Sequence, residues 1–86
     1  MAFYEIELSN SAQKDLRKLD EQLLRRVTRT IDSLSSTPRP RGSRKLEKST
    51  ADYRVRVGSY RVIYEVDDPQ RRVIVHYVRH RREAYR

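Results

Sequence analysis

Tyr53-Arg54-Val55-Arg56-Val57-Gly58-Ser59-Tyr60-Arg61-Val62-Ile63-Tyr64-Glu65-Val66 alternates apolar and cationic residues with a period of two, breaks at a Gly-Ser pair and resumes. Successive side chains of a β-strand point to opposite faces, so Tyr53, Val55 and Val57 are directed to a core while Arg54 and Arg56 stand together on the other side. A two-residue connection such as Gly58-Ser59 joins antiparallel strands. The stretch therefore predicts a hairpin with one face made to pack and one face carrying guanidinium groups.

Working outward toward the amino terminus, the loop Ser36-Thr37-Pro38-Arg39-Pro40-Arg41-Gly42-Ser43-Arg44-Lys45 holds two prolines and a glycine, which stop any helix before it. Leu46 and its neighbours predict a short edge strand. Upstream, Leu23, Val27, Ile31 and Leu34 recur at spacings of four and three, one apolar stripe of an amphipathic helix over 21–35. A shorter helix with Leu16 and Leu19 as its apolar positions precedes it. Asn10 with Gln13 three residues later has the spacing of a capping box, Ser9 and Ser11 are further cap candidates, and Asp20 is placed to cap the second helix. Tyr4, Ile6 and Leu8 alternate with Glu5 and Glu7, the pattern of a first strand. Beyond the hairpin, Asp67-Asp68-Pro69 marks a turn. Arg72 to Val78 then reads as a strand apolar on both faces, with Val73, Val75 and Tyr77 on one and Ile74, His76 and Val78 on the other, hence interior to the sheet. The expected fold is α+β: an N-terminal strand, a helical hairpin, then a three- to four-stranded antiparallel sheet with the helices on one face.

Residues 1–86 suffice for a single domain with a modest core. The acidic start MAFYEIEL lacks the pattern of a signal peptide, and no apolar run is long enough to span a bilayer. With no cysteine there is neither a disulfide framework nor a thiolate metal site, which suits a cytoplasmic location. Two histidines are too few for a structural metal centre, and no metal or other cofactor is expected. The net charge of +8 is unevenly placed: up to Pro38 six Lys or Arg balance six Asp or Glu, whereas from Arg39 onward fourteen face six. Such an excess attracts polyanions and predicts contacts to phosphate, although a basic surface also serves solubility.

The chemistry-bearing residues follow from the hairpin. Arg54, Arg56, Arg61 at the head of the second strand and Arg79 at the end of the last one supply guanidinium groups whose forked donors match phosphate oxygens. The ending Arg79-His80-Arg81-Arg82-Glu83-Ala84-Tyr85-Arg86 adds an imidazole and a phenol amid cations, the mixture that holds single-stranded bases by stacking. There is no Gly-rich phosphate loop, Ser-His-Asp arrangement or carboxylate set for two-metal hydrolysis. Phosphoryl chemistry here therefore calls for a metal-independent route based on charge stabilisation.

With the hairpin, the Pro40-Arg41-Gly42 and Lys45-Leu46 pairs before it and the Val78-Arg79-His80-Arg81-Arg82-Glu83-Ala84-Tyr85 ending, the chain resembles the RelE/ParE superfamily of toxins, and within it the RelE branch. The order of strand and helices also fits, so the resemblance covers the whole chain. It implies a RelE-like, microbial-RNase-like fold. The implied protein is a ribosome-dependent mRNA endoribonuclease that cuts the A-site codon by attack of a 2′-hydroxyl on the adjacent phosphate and so inhibits translation.

By position, Arg61 and Arg79 are then the residues that stabilise the phosphorane-like transition state. Tyr85 stacks on a base and shares in proton transfer. Arg54 and Arg56 stand where relatives carry lysines, and this is a departure, because arginine stays protonated and makes a poor base. Two candidates for the base remain, Tyr85 with an ordinary pKa near 10 and His80 with one near 6.5. Arg39, Arg41, Arg44, Lys45, Lys48, Arg81 and Arg82 are candidates for contacts to ribosomal RNA or mRNA. The implied partners are the ribosome, mRNA and a RelB-like antitoxin that holds the toxin inactive. Two other functions stay open: a ParE-like poison of DNA gyrase that does not cut RNA, and a basic RNA-binding module without enzymatic activity.

Overall fold

The computed structural model describes residues 3–46 and 52–84, with side chains to Arg82. The central hairpin forms as its alternation dictates. Strand β3 (Asp52–Val57) pairs antiparallel with β4 (Tyr60–Asp67), from Asp52 opposite Glu65 to Val57 opposite Tyr60. Gly58 takes φ +60, which the two-residue loop requires and a side chain resists. Its missing side chain also leaves the Arg26 guanidinium close above the turn. The hairpin is extended on one side by the short β2 (Arg44–Lys45), the edge strand expected around Leu46, and on the other by β5 (Arg72–His80).

The N-terminal strand β1 (Glu5–Leu8) joins the far side of β5 in parallel register, giving a mixed five-stranded sheet of order β1-β5-β4-β3-β2. The four later strands are antiparallel, as expected, and the parallel edge is the addition. β1 is too short to cover β5 along its length: its pairing ends at Leu8 opposite Val75, and Leu8 remains exposed.

β5 departs from the simple alternation read in the sequence. Tyr64 lies opposite Val75 and Ile63 opposite Tyr77, so His76 is an extra residue, a β-bulge. The bulge reverses the parity of everything after it. Val78, rather than Tyr77, joins Val73 and Val75 in the core, while Tyr77 goes to the other face beside Ile63. Helix α1 (Asn10–Arg17) fixes this irregularity at both ends. Its N-cap is Ser9, not Asn10; the Ser9 hydroxyl accepts from the Ala12 N–H and donates to the bulge carbonyl of His76 at 2.5 Å. Beyond the end of β1, the Asp15 carboxylate takes the Val78 N–H at 2.9 Å, in place of a neighbouring strand. Exposed strand edges leave such groups unsatisfied, and here a helix side chain meets the need.

Helix α2 (Glu21–Ser33) is capped by Asp20, whose carboxylate accepts from the Leu23 N–H at 2.8 Å. Its stripe of Val27, Ile31 and the following Leu34 is buried, with Leu23 packed at the margin. α1 packs on β5 and α2 on β3, both on the same face. Between them and the sheet lies one core of Ala12, Val55, Val57, Val62, Tyr64, Val66, Val73, Val75 and Val78. Tyr64 is fully buried, and its hydroxyl reaches the Pro38 carbonyl at 2.8 Å, so the proline-rich loop is tied to the core by a tyrosine whose phenol burial holds above its ordinary pKa. A short helix α3 (Arg81–Ala84) follows β5, held to the hairpin turn by the Arg81 N–H on the Ser59 carbonyl at 2.7 Å. No helix among the described residues is long and apolar enough to cross a membrane.

Candidate functional site

The face of the sheet turned away from α1 and α2 carries the arginines. Residues directly opposite one another on neighbouring strands share a face, and Arg56 faces Arg61, which in turn faces Arg79. Arg44 faces Arg54 one step along the same surface. Three adjacent strands thus place Arg56, Arg61 and Arg79 in one row, with Arg54 and Arg44 beside it. Antiparallel partners have Cβ atoms about 5 Å apart, and like charges so placed oppose folding by a few tenths to about 1 kcal/mol per pair. A cleft of about 80 Å³ opens among Gly42, Arg44, Arg54, Arg56 and Arg61. A water occupies about 30 Å³ in the liquid, so the cleft has room for a group of phosphate size.

The bulge puts Arg79 in this row. Continued alternation from Val75 sends residue 79 into the core; the extra residue at His76 turns it to the opposite face. There Arg79 Nε donates to Asp15 Oδ2 at 3.1 Å, and its guanidinium carbon lies 4.8 Å from the centre of the Tyr77 ring. Asp15 is only 9% exposed, so it holds Arg79 from a nearly desolvated position. Arg61 is 8% exposed, deeply set for a residue of its kind, whereas Arg56 is exposed at the end of the row.

His80 is placed elsewhere. It pairs with Tyr60, whose ring packs on the core, and the two rings meet edge to face at 5.4 Å. The imidazole thus lines a cavity with Lys18, Leu19 and Tyr60 on the helix side, and the Asp15–Arg79 pair lines the same cavity. Arg39 is also away from the row. It donates to Asp68 at 2.7 Å and to the Tyr53 hydroxyl at 2.9 Å, and it stacks over the Tyr53 ring. These bonds raise its pKa further and hold the Asp68 carboxyl below its ordinary value, while Asp68 raises that of Tyr4, its other donor. Arg41, Arg44, Lys45, Arg81 and Arg82 are exposed; Lys45 sits opposite Tyr53, on the side away from the arginine row. Tyr85 and Lys48 lie outside the described residues.

Two participants escaped sequence reasoning. Asp15 shares the buried side of α1 with Ala12, and an acid on the buried side of a helix is the signal that points to a partner across the core. Simple alternation puts Tyr77 on one face with Val73 and Val75, whereas it lies on the other face and floors Arg79.

The chain matches the family model of the ParE toxin of the type II toxin–antitoxin system parDE over residues 6–85. It is 30% identical to toxin RelG of Mycobacterium tuberculosis across 84 residues, 96% of this chain and 97% of that one. Its fold is that of the RelBE2 toxin–antitoxin complex of M. tuberculosis, with a TM-score of 0.81, 28% identity, and 92% of this chain and 99% of the other covered. The archaeal RelE–RelB complex of Pyrococcus horikoshii matches with a TM-score of 0.81 and 30% identity, covering 91% and 94%.

Proposed function

The chain belongs to the RelE/ParE superfamily of toxins from type II toxin–antitoxin systems, on its RelE-like side, and from that premise we propose that it is a ribosome-dependent mRNA endoribonuclease acting in the cytoplasm. The observation that carries the proposal is the row Arg56–Arg61–Arg79. Its guanidiniums stand on one face of three adjacent strands, so an RNA phosphate placed over them meets several charged donors at once. A phosphorane formed there, with more charge on its oxygens than the ground state, is held more strongly still, and this differential is what accelerates a reaction.

In this reading the 2′-hydroxyl oxygen attacks the adjacent phosphorus while the bond to the 5′-oxygen breaks, leaving a cyclic phosphate and a free 5′-hydroxyl. Arg61 and Arg79 stabilise the charge that develops, and Arg54 and Arg56 orient the phosphate. Tyr85 stacks on a base and, as the phenolate, takes the 2′-hydroxyl proton, while water protonates the departing 5′-oxygen. His80, with its ring on the helix side of the sheet, is the less suited of the two bases. The exposed Arg41, Arg44, Arg81 and Arg82, with Lys45 and Lys48, serve as contacts to ribosomal RNA, and Arg39 does so after meeting Asp68. A RelB-like antitoxin is the partner expected to neutralise the toxin, as the RelB-bound solved relatives suggest. Failure of the product of a neighbouring gene to co-purify with the toxin would count against that partner.

The ParE family match favours a second reading, a gyrase poison. Translation in vitro with mRNA ends mapped, alongside an assay of gyrase-dependent DNA breaks, separates the two. The nuclease yields codon-positioned 5′-hydroxyl ends and intact DNA; uncut mRNA with broken DNA overturns it. Binding to ribosomes with neither product leaves only the RNA-binding module.

A further inference from the structure

At the other end of the arginine-bearing face the charge reverses. Asp52 on β3 stands directly opposite Glu65 on β4, two carboxylates paired across the ladder of a chain with a net charge of +8. The bulge delivers the third member: His76, the extra residue of β5, turns its ring over the same two strands. Its Nε2 lies 3.2 Å from Glu65 Oε1 and 3.9 Å from Asp52 Oδ1, and one donor atom from each of the three lies within 4.8 Å of the others. All three side chains are about one-third exposed, between 33% and 36%, so the group is open to an entering ion.

We propose that Asp52, Glu65 and His76 form a binding site for a divalent first-row transition ion, zinc being the best fit. Zinc takes imidazole nitrogen and carboxylate oxygen at about 2.0–2.2 Å, which sets neighbouring donors of a tetrahedral site about 3.3 Å apart. The His76–Glu65 separation already has that value, and the Asp52 carboxylate stands 3.9 Å from the same nitrogen. Two carboxylates neutralise the ion, and mixed nitrogen and oxygen donors favour zinc and its neighbours over calcium or magnesium. The scaffold is prepared: the three donors come from three hydrogen-bonded strands, and Ser9 fixes the His76 backbone through its carbonyl. Three protein donors leave a fourth position for water or a group from a partner. Bound there, the ion ties β3, β4 and β5 together at the end of the sheet away from the row Arg56–Arg61–Arg79. The proposal is independent of the nuclease reading, since it concerns other residues and its test reads binding alone.

The sequence argued against a metal centre because it has no cysteine and only two histidines. Asp52, Glu65 and His76 are brought together only by strand register and the bulge.

The test is calorimetric titration of ZnCl2 into the full chain, produced without a polyhistidine tag and stripped with chelator. One saturable site per chain is expected, together with a rise in melting midpoint at saturating ZnCl2. His76→Ala and the isosteric Glu65→Gln are each expected to weaken binding by more than about tenfold, as loss of groups far less central to metal sites already does. His80→Ala removes the only other histidine and is expected to bind as the parent does. CoCl2 is expected to give a visible absorption band that His76→Ala lacks. Absence of saturable binding by the parent, or equal binding by the parent and the folded His76→Ala and Glu65→Gln variants, overturns the proposal.

Discussion

The two faces of one hairpin are built by opposite rules. On the helix side Val55, Val57, Val62 and Tyr64 lose nearly all contact with water, and every partner around them is apolar or hydrogen-bonded. Each buried side chain of this size contributes roughly 1.5–3 kcal/mol, so this face holds the domain together. On the reverse, one residue away along the same strands, Arg54, Arg56 and Arg61 are lined up with Arg44 and Arg79 across the ladder. The guanidiniums of that face attract polyanions and lie outside the apolar core. Substitutions on the two faces therefore differ in kind, the packed face changing stability and the charged face changing activity.

The largest expected effect is on the packed side. Tyr64→Ala removes a fully buried ring and the bond to Pro38, and is expected to lower the unfolding free energy by about 3–5 kcal/mol in urea titrations. Next comes the charged side. Arg79→Ala is expected to lower mRNA cleavage on ribosomes about 100- to 1000-fold, the range seen when a transition-state donor is removed, with a far smaller change in stability. Asp15 belongs to both sides, because its carboxylate holds the Val78 N–H within the sheet and Arg79 in the row. Asp15→Asn is expected to cost about 1–3 kcal/mol and to lower cleavage as well, a joint loss that neither face gives alone.

The smallest effect lies at the margin, in the pH dependence. Hydrogen bonds from Arg39 and then Tyr4 depress the Asp68 carboxyl in the folded state. Its contribution is therefore present above the unfolded carboxyl value near 4 and is lost as pH falls through the lower folded value. Acid melting curves of Asp68→Asn are expected to be flatter below about pH 4 than those of the parent.

How far the sequence foretold this molecule depends on the range of the interactions involved. The hairpin, the stripe of α2 and the cap at Asp20 are decided by residues within a few positions of one another, and simple periodicity reads them. The bulge at His76 is decided by Ser9 and Asp15, more than sixty residues away, through bonds to a carbonyl and an N–H. Period-two reading passes over it and puts Tyr77 and Val78 on the wrong faces. The same parity change separates the candidates of the site: Arg79 joins the arginines, whereas His80, adjacent in sequence, turns to Tyr60 and the helices. The parallel edge of β1 was equally hidden, since Tyr4, Ile6 and Leu8 alternate alike in either orientation.

Arg61 is the middle member of the arginine row that we propose holds an RNA phosphate. The direct test measures the unfolding free energy and the cleavage of ribosome-bound mRNA on one preparation of Arg61→Gln, which keeps much of the stem of the side chain and removes the charge. The predicted result is stability within about 1 kcal/mol of the parent, the scale of one cross-strand pair, with cleavage reduced at least about 100-fold. A variant that loses several kcal/mol of stability, or that keeps cutting mRNA at the parental rate, contradicts the account.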